Sequence, residues 1–237
     1  MGAPETRGRW RLPEWRRAFL AHGVLKGVGL TVGFSLFFAA YFHLQSSPRT
    51  EPWLVPELPW DALLPFSPWW IIPYVSLWVY VSLYPGLLGD PRALWRYAVA
   101  AVGLAAAGLI IFYLWPTRIA PPDLGPNPHA GIAFLKRVDA AGNVCPSLHV
   151  AFAVFTSCAL QHLLRARRAP ALLRWANLSW ATAIVLSTLG TKQHVIIDVI
   201  AGLILGLAFA WLHRPPGESR LVVAGQERRC PPAPDGR

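Results

Sequence analysis

Charge is scarce in this chain of 237 residues: 14% are Asp, Glu, Lys or Arg, against about 25% in soluble domains. Acidic residues are the scarcer sign, 12 against 22 basic ones. There are three cysteines, Cys145, Cys158 and Cys230, far apart and with no CxxC or Cys/His spacing. That argues against a disulfide framework and against a zinc site. Long polar stretches are also missing, so nothing divides the chain into separate soluble domains, and no internal repeat is visible. What is present is apolar: 54% of residues are hydrophobic, with 12 Trp and 23 Pro. Trp favours the bilayer interface, where its ring is apolar and its N–H stays wet. The composition points to an integral membrane protein.

Six segments are long and apolar enough for spans of about 20 residues. They lie near 18–42, 68–88, 94–116, 147–164, 172–189 and 195–213. The expected fold is all-α, an integral membrane bundle of six transmembrane helices over 18–213. A short N-terminal tail (1–17) precedes it, and a polar, Pro-rich tail (214–237) expected to be disordered follows. The first segment is too long for a signal-peptide core and no small-x-small cleavage site follows it, so it reads as a span.

Arg and Lys set the orientation. Seventeen of the 22 fall on one side: those of 7–26, then Arg92 and Arg96, then Arg165, Arg167, Arg168 and Arg174, then those of 214–237. The other side holds Arg49, Arg118, Lys136, Arg137 and Lys192. Both termini should then be cytoplasmic. Insertion accounts for the net charge of +10, which removes the case for a nucleic-acid partner. The segments 44–67, 117–146 and 188–194 all land on the outer face. The first is rich in Pro and Trp and reads as an interfacial cap. Within the second, "AGIAFLKRVDAAG" could form a short amphipathic helix.

Two stretches place ionisable groups at the mouths of apolar runs: "NVCPSLHVAFAV" (143–154) and "TKQHVIIDVIAG" (191–202). If the sixth span begins near Thr191, His194 and Asp198 sit about 40° apart on one helix face. A carboxylate there can accept an imidazole N–H and make the other ring nitrogen more basic. The bland reading is a structural pair tying helices together. At a membrane mouth, where burying ionisable groups is costly, function is the default. In "PSLH", Pro146 and Ser147 suit a helix start, which leaves His149 unexplained. A second imidazole on the same face supplies an acid for a leaving group. Ser147, with the free amides of a helix start, would make an anion site. Lys192, Arg118, Lys136 and Arg137 are the cations on this face. Lys192 also reads as a snorkelling interfacial residue, and Asp61 as a helix cap. His22, His43, His129, His162 and His213 have no partner at useful spacing.

Two imidazoles, one carboxylate and no metal set suit phosphoryl transfer through a phosphohistidine. One His attacks phosphorus and the other protonates the departing oxygen; spacing alone does not say which does which.

At these residues the chain resembles the type-2 phosphatidic acid phosphatase superfamily. "PSLH" (146–149) is similar to that family's Pro-Ser-Gly-His motif, with Leu148 where Gly is usual. "STLGTKQHVIID" (187–198) is similar to its Ser-Arg-x5-His-x3-Asp motif, with Thr188 where Arg is usual. Both departures, together with "WDALLPFSPWWIIPYVSLWVY" and "WPTRIAPP", resemble the inositol phosphorylceramide synthase-like (inositolphosphotransferase) branch. The resemblance covers roughly 55–205. It implies a six-helix bundle with an outward-facing site and no metal or other cofactor. It implies His194 as nucleophile, Asp198 as its orienting partner and His149 as general acid. The family's basic first motif has no match here, and Arg118 is the nearest substitute. Ser147, Lys192, Arg118 and Thr188 are the candidates for holding phosphate.

The expected partners are a lipid phosphate, the surrounding membrane lipids and, if the phosphohistidine is taken by something other than water, an alcohol acceptor. A small membrane transporter or binding protein with a His/Asp site is the competing class. It predicts ionisable groups deep in several spans and broken helices in two related halves. An intramembrane protease would want its Ser within a span among glycines, whereas Ser147 follows Pro146 at a helix start.

Overall fold

The computed structural model describes residue 16 and residues 18–120 and 142–213. The expected tails and the "AGIAFLKRVDAAG" helix lie outside these residues, apart from residue 16 of the N-terminal tail and Gly142 at the end of the helix. Six long helices account for most of what is described: α1 (Gly23–Ser46), α2 (Ile71–Leu87), α3 (Pro91–Leu114), α4 (Leu148–Ala166), α5 (Ala171–Gly190) and α6 (Ile196–Leu212). Their boundaries follow local chemistry. Asp90 caps α3 by accepting from the Ala93 amide, with Pro91 at the first helical position. Pro170 precedes α5.

Among the described residues, three helical stretches are long and apolar enough to cross a membrane: Gly23–Ser46, Pro68–Leu87 (a 3-10 turn at Pro68–Trp70 running into α2) and Pro91–Leu114; α6 is a shorter apolar helix. The outward faces are apolar at helical spacing. On α2 they carry Ile72, Val75, Val79 and Leu83; on α6, Ile200, Ile204, Leu207 and Trp211, all exposed. A helix apolar on both its inner and outer faces suits lipid surroundings. Exposed tryptophans stand at both ends of the bundle. Trp53, Trp60, Trp69 and Trp115 lie at the end where α4 begins; Trp95, Trp175 and Trp211 lie at the other.

α4 is the central helix, with eleven residues buried. α6 runs parallel to it and very close. A Cβ at Gly202 would come 2.4 Å from the Ser147 carbonyl oxygen, and one at Gly206 2.5 Å from that of Ala151. These two glycines, four apart, let the backbones touch. On the other side of α4, Leu148 fills the space over Gly108 of α3, where a Cβ would collide with the leucine methyls.

The site end is covered by a small layer with some strand character, which the all-α expectation did not include. β1 (Trp53–Leu54) pairs in parallel with β2 (Thr117–Arg118). Thr117 then accepts twice: its carbonyl from the Asn143 amide at 2.8 Å, its hydroxyl oxygen from the Cys145 amide at 3.0 Å. Val55, Ile119, Val144 and Val195 form a separate apolar cluster beneath. The segment leading into α4 is thereby fixed from outside.

Candidate active site

His149 occupies the first turn of α4. Ser147 caps the helix, its Oγ accepting from the Val150 amide at 3.3 Å. The His149 ring stacks on Tyr74 with centroids 4.0 Å apart and planes within 16°. Its Nε2 lies 2.9 Å from the Tyr74 carbonyl oxygen. A carbonyl can only accept, so Nε2 carries a proton and Nδ1 is the nitrogen left for chemistry.

His194 departs from the sequence expectation. It does not lie on the sixth helix, which begins at Ile196, but in the turn between α5 and α6. The amides of Gln193 and His194 both donate to the Thr188 carbonyl, at 3.1 and 3.2 Å. Those bonds wind the chain out of helical geometry, so the argument from 40° on one helix face does not apply. The pair forms by another route. Asp198 reaches back from the first turn of α6, its Oδ2 accepting from the Val195 amide at 3.1 Å, and the same oxygen lies 3.4 Å from His194 Nδ1. That separation is long for a hydrogen bond, and neither His194 Nδ1 nor Asp198 Oδ1 has a hydrogen-bond partner, although both are buried. Catalytic hydrogen bonds are often loose without substrate and tighten with it. With Nδ1 facing the carboxylate, Nε2 is the ring nitrogen on the side away from it.

The two histidine segments are tied through backbone. The Ser147 amide donates to the Asp198 carbonyl at 3.1 Å, beside the close approach at Gly202. His149 and His194 line one cavity of about 300 Å3, walled mainly by aromatic residues of α1 (Phe37, Phe38, Tyr41, Phe42) and α2 (Tyr74, Trp78), with Asn143 at its edge. An apolar groove of about 330 Å3 along α1, α2 and α3 shares Phe37, Trp78 and Phe152 with it.

The structure places the other candidates as follows. Ser147 and Thr188 are fully buried, and the Thr188 hydroxyl donates to the Val185 carbonyl at 2.8 Å. Arg118 is exposed on β2, its Nε donating to the Pro52 carbonyl at 3.3 Å. Lys192 Nζ donates to the carbonyls of Asp61 and Leu64 at 2.8 and 2.7 Å. Sequence reasoning missed Tyr74, Gly108 and Gly202. Gly202 had a signal, the GxxxG spacing with Gly206. Tyr74 had none, because no spacing in the sequence brings its main-chain oxygen and its ring to a histidine 75 residues on.

Residues 93–215 match the family model of the PAP2 superfamily. The chain belongs to that superfamily. No curated protein and no solved structure matches it. PAP2 membership brings phosphatase or phosphotransferase chemistry on lipid phosphates, and the match contains His149, His194 and Asp198. It leaves out α1, α2 and the segment before α2, so much of the cavity's aromatic wall comes from chain outside the PAP2 match.

Cys145 stands just before the PAP2 histidine segment. Burial, and then the negative charge of Asp198, push its thiol up to about 11. With Cys158 and Cys230 replaced by Ala, maleimide labelling of Cys145 should be slow at pH 7.5. A two-unit rise leaves roughly 100-fold less thiolate at that pH, and the rate should climb tenfold per pH unit. A rate at pH 7.5 equal to that of a free cysteine would contradict this placement.

Proposed function

We propose that the protein is a multi-pass membrane lipid phosphatase or phosphotransferase that works without a metal, through a phosphohistidine on His194. The observation that carries the reading is that His149 and His194 line one aromatic-walled cavity, with a buried carboxylate behind the second. That is a nucleophile, an orienting acid and a proton donor set where an apolar tail can also lie.

In this mechanism His194 Nε2 attacks phosphorus and the ester P–O bond breaks. Protonated His149 gives its Nδ1 proton to the departing lipid oxygen, because Nε2–H is committed to Tyr74. Asp198 stabilises the imidazolium character that develops on His194. In the second half, water or an alcohol attacks the phosphohistidine, His149 takes back a proton, and the P–N bond breaks. Ser147 (two residues from His149), Arg118 and Thr188 are the residues assigned to the phosphate side; the Lys192 ammonium is taken up by the carbonyls of Asp61 and Leu64.

The same proposal includes six membrane crossings, both termini cytoplasmic and the site on the extracytoplasmic face. The outward apolar stripes and the two tryptophan groups support the crossings, and the Arg/Lys distribution supports the direction. Transfer to an alcohol, as in the inositol phosphorylceramide synthase-like branch, is the finer reading. It is supported by Leu148, the branch-like residue, which is built into the packing against Gly108.

The test is incubation of purified protein with labelled lipid phosphates, with and without candidate alcohols including inositol. Vanadate-sensitive release of phosphate alone identifies a phosphatase, and a new labelled product that requires the alcohol identifies a transferase. No turnover across the panel in either arm would overturn the reading.

A further inference from the structure

The turn that carries His194 has no helix of its own. α5 ends at Gly190 and α6 begins at Ile196, and a nucleophile must be held to about 0.5 Å of its working position. Local bonds to the Thr188 carbonyl and to Asp198 shape this turn, and a second set of bonds reaches it from far away in sequence, from the segment 58–70.

Both ends and the middle of the turn are gripped. At the far end, Asp61 Oδ1 accepts from the Ile196 amide at 2.7 Å, while Oδ2 accepts from its own Leu58 amide at 2.7 Å. A carboxylate on the first amides of a helix makes short, charge-assisted bonds and meets the positive end of the helix dipole. In the middle, Lys192 Nζ donates to the carbonyls of Asp61 and Leu64. Lys192 has a backbone φ of 55°, a left-handed conformation that is strained for a residue with a Cβ. At the near end, the Ser67 amide donates to the Gly190 carbonyl at 3.2 Å, and the Trp70 ring lies over Gly190 so closely that a Cβ would overlap it.

We propose that Asp61 and Lys192 are positioning residues that clamp the 191–195 turn onto the segment 58–70 and so set the line of attack of His194. The inference rests on the reading of His194 as nucleophile. It also gives Lys192 a role other than that of principal phosphate ligand. Its ammonium is spent on two carbonyls of the clamp, and the strained backbone beneath it is held by those bonds. Asp61 is more than a cap for its own 3-10 turn, since it also caps α6. The segment 58–70 lies outside the PAP2 match, so this clamp comes from a part of the chain that the family model does not describe.

The experiment compares full-length Asp61→Ala, Asp61→Asn, Lys192→Met and His194→Ala with the parent protein in detergent. Hydrogen exchange of peptides covering 188–197 needs no substrate. Turnover of phosphatidic acid in mixed micelles, with vanadate inhibition, supplies the kinetics. Exchange across the turn should rise in Asp61→Ala and Lys192→Met. In both, kcat should fall about 10- to 100-fold, as expected for a misplaced reacting group, while KM and vanadate inhibition stay within about threefold. Asp61→Asn keeps one oxygen for the Ile196 amide but sets its NH2 against the Leu58 amide and loses the charge, so it should fall between Asp61→Ala and the parent in both properties. A phosphate ligand would behave differently, with Lys192→Met weakening vanadate and raising KM while exchange is unmoved. Unchanged exchange in Asp61→Ala and Lys192→Met would overturn the clamp, even with His194→Ala inactive. Should Asp61→Ala not fold, Lys192→Met decides alone. Raised exchange with turnover that survives His194→Ala would leave the clamp's contacts standing and remove the nucleophile they were proposed to serve.

Discussion

His194→Ala is expected to lower turnover at least about 10,000-fold, the scale on which loss of a covalent nucleophile is felt, while the protein still inserts and folds. The side chain lies in a turn whose backbone bonds come from the Thr188 carbonyl and do not use the imidazole. Brief exposure to labelled substrate followed by alkaline quench should trap acid-labile phosphate on the parent protein and none on the variant. Asp198→Asn separates charge from shape. An Asn oxygen can still accept from the Val195 amide, so the first turn of α6 keeps its cap, but the negative charge facing His194 Nδ1 is gone. A loss of about 100- to 10,000-fold is expected. His149→Ala should slow release of the lipid alcohol; with a phosphoryl donor whose leaving group needs no proton, the phosphoryl-enzyme should still form at close to the parent rate, and its breakdown should be the slowed step. Unimpaired turnover of a lipid phosphate by His194→Ala would end the phosphohistidine mechanism.

The second large effect is expected far from any ionisable group. Gly202→Ala adds one methyl where a Cβ would be 2.4 Å from the Ser147 carbonyl oxygen and 3.0 Å from Val150 Cβ. The first neighbour is backbone at the start of a helix, so the two helices must part. Overpacking of this kind costs about 1–3 kcal/mol, which in a protein of this size corresponds to a fall of about 5 °C in Tm. Activity should suffer more than stability. Parting α4 from α6 breaks the bond from the Ser147 amide to the Asp198 carbonyl, and with it the alignment of the two histidines, and a displacement near 1 Å costs about 100-fold in rate. Gly27→Ala is the control, since nothing lies within 4 Å of a Cβ there, and it should match the parent. Equal activity in Gly202→Ala and Gly27→Ala would show that the α4–α6 contact does not govern the site.

The elements legible in the sequence are those with local causes. Helix positions came out within a few residues because hydrophobic runs, Pro91, Pro170 and the Asp90 cap act on their own neighbours. Ser147 opening α4 was legible for the same reason, and so was the pairing of His194 with Asp198, since a carboxylate four residues on is within reach in a turn as well as in a helix. The geometry of that pairing was not legible. Whether His194 lay on the helix depended on two amides choosing the Thr188 carbonyl, and no side chain marks that choice.

Tertiary structure alone decided four things. It put the Tyr74 carbonyl under His149 and so fixed which ring nitrogen carries the proton and which is left open. It set Leu148 over Gly108 and Gly202 against Ser147. It turned Asp61 from a local cap into a cap on a helix more than a hundred residues away. It also spent the Lys192 ammonium on two carbonyls. Each of these uses a main-chain atom or an empty space as one partner. Every residue has the same backbone, and an absent side chain leaves no letter of its own, so composition and spacing determine which groups can do the chemistry, and only the packed chain determines where they are held.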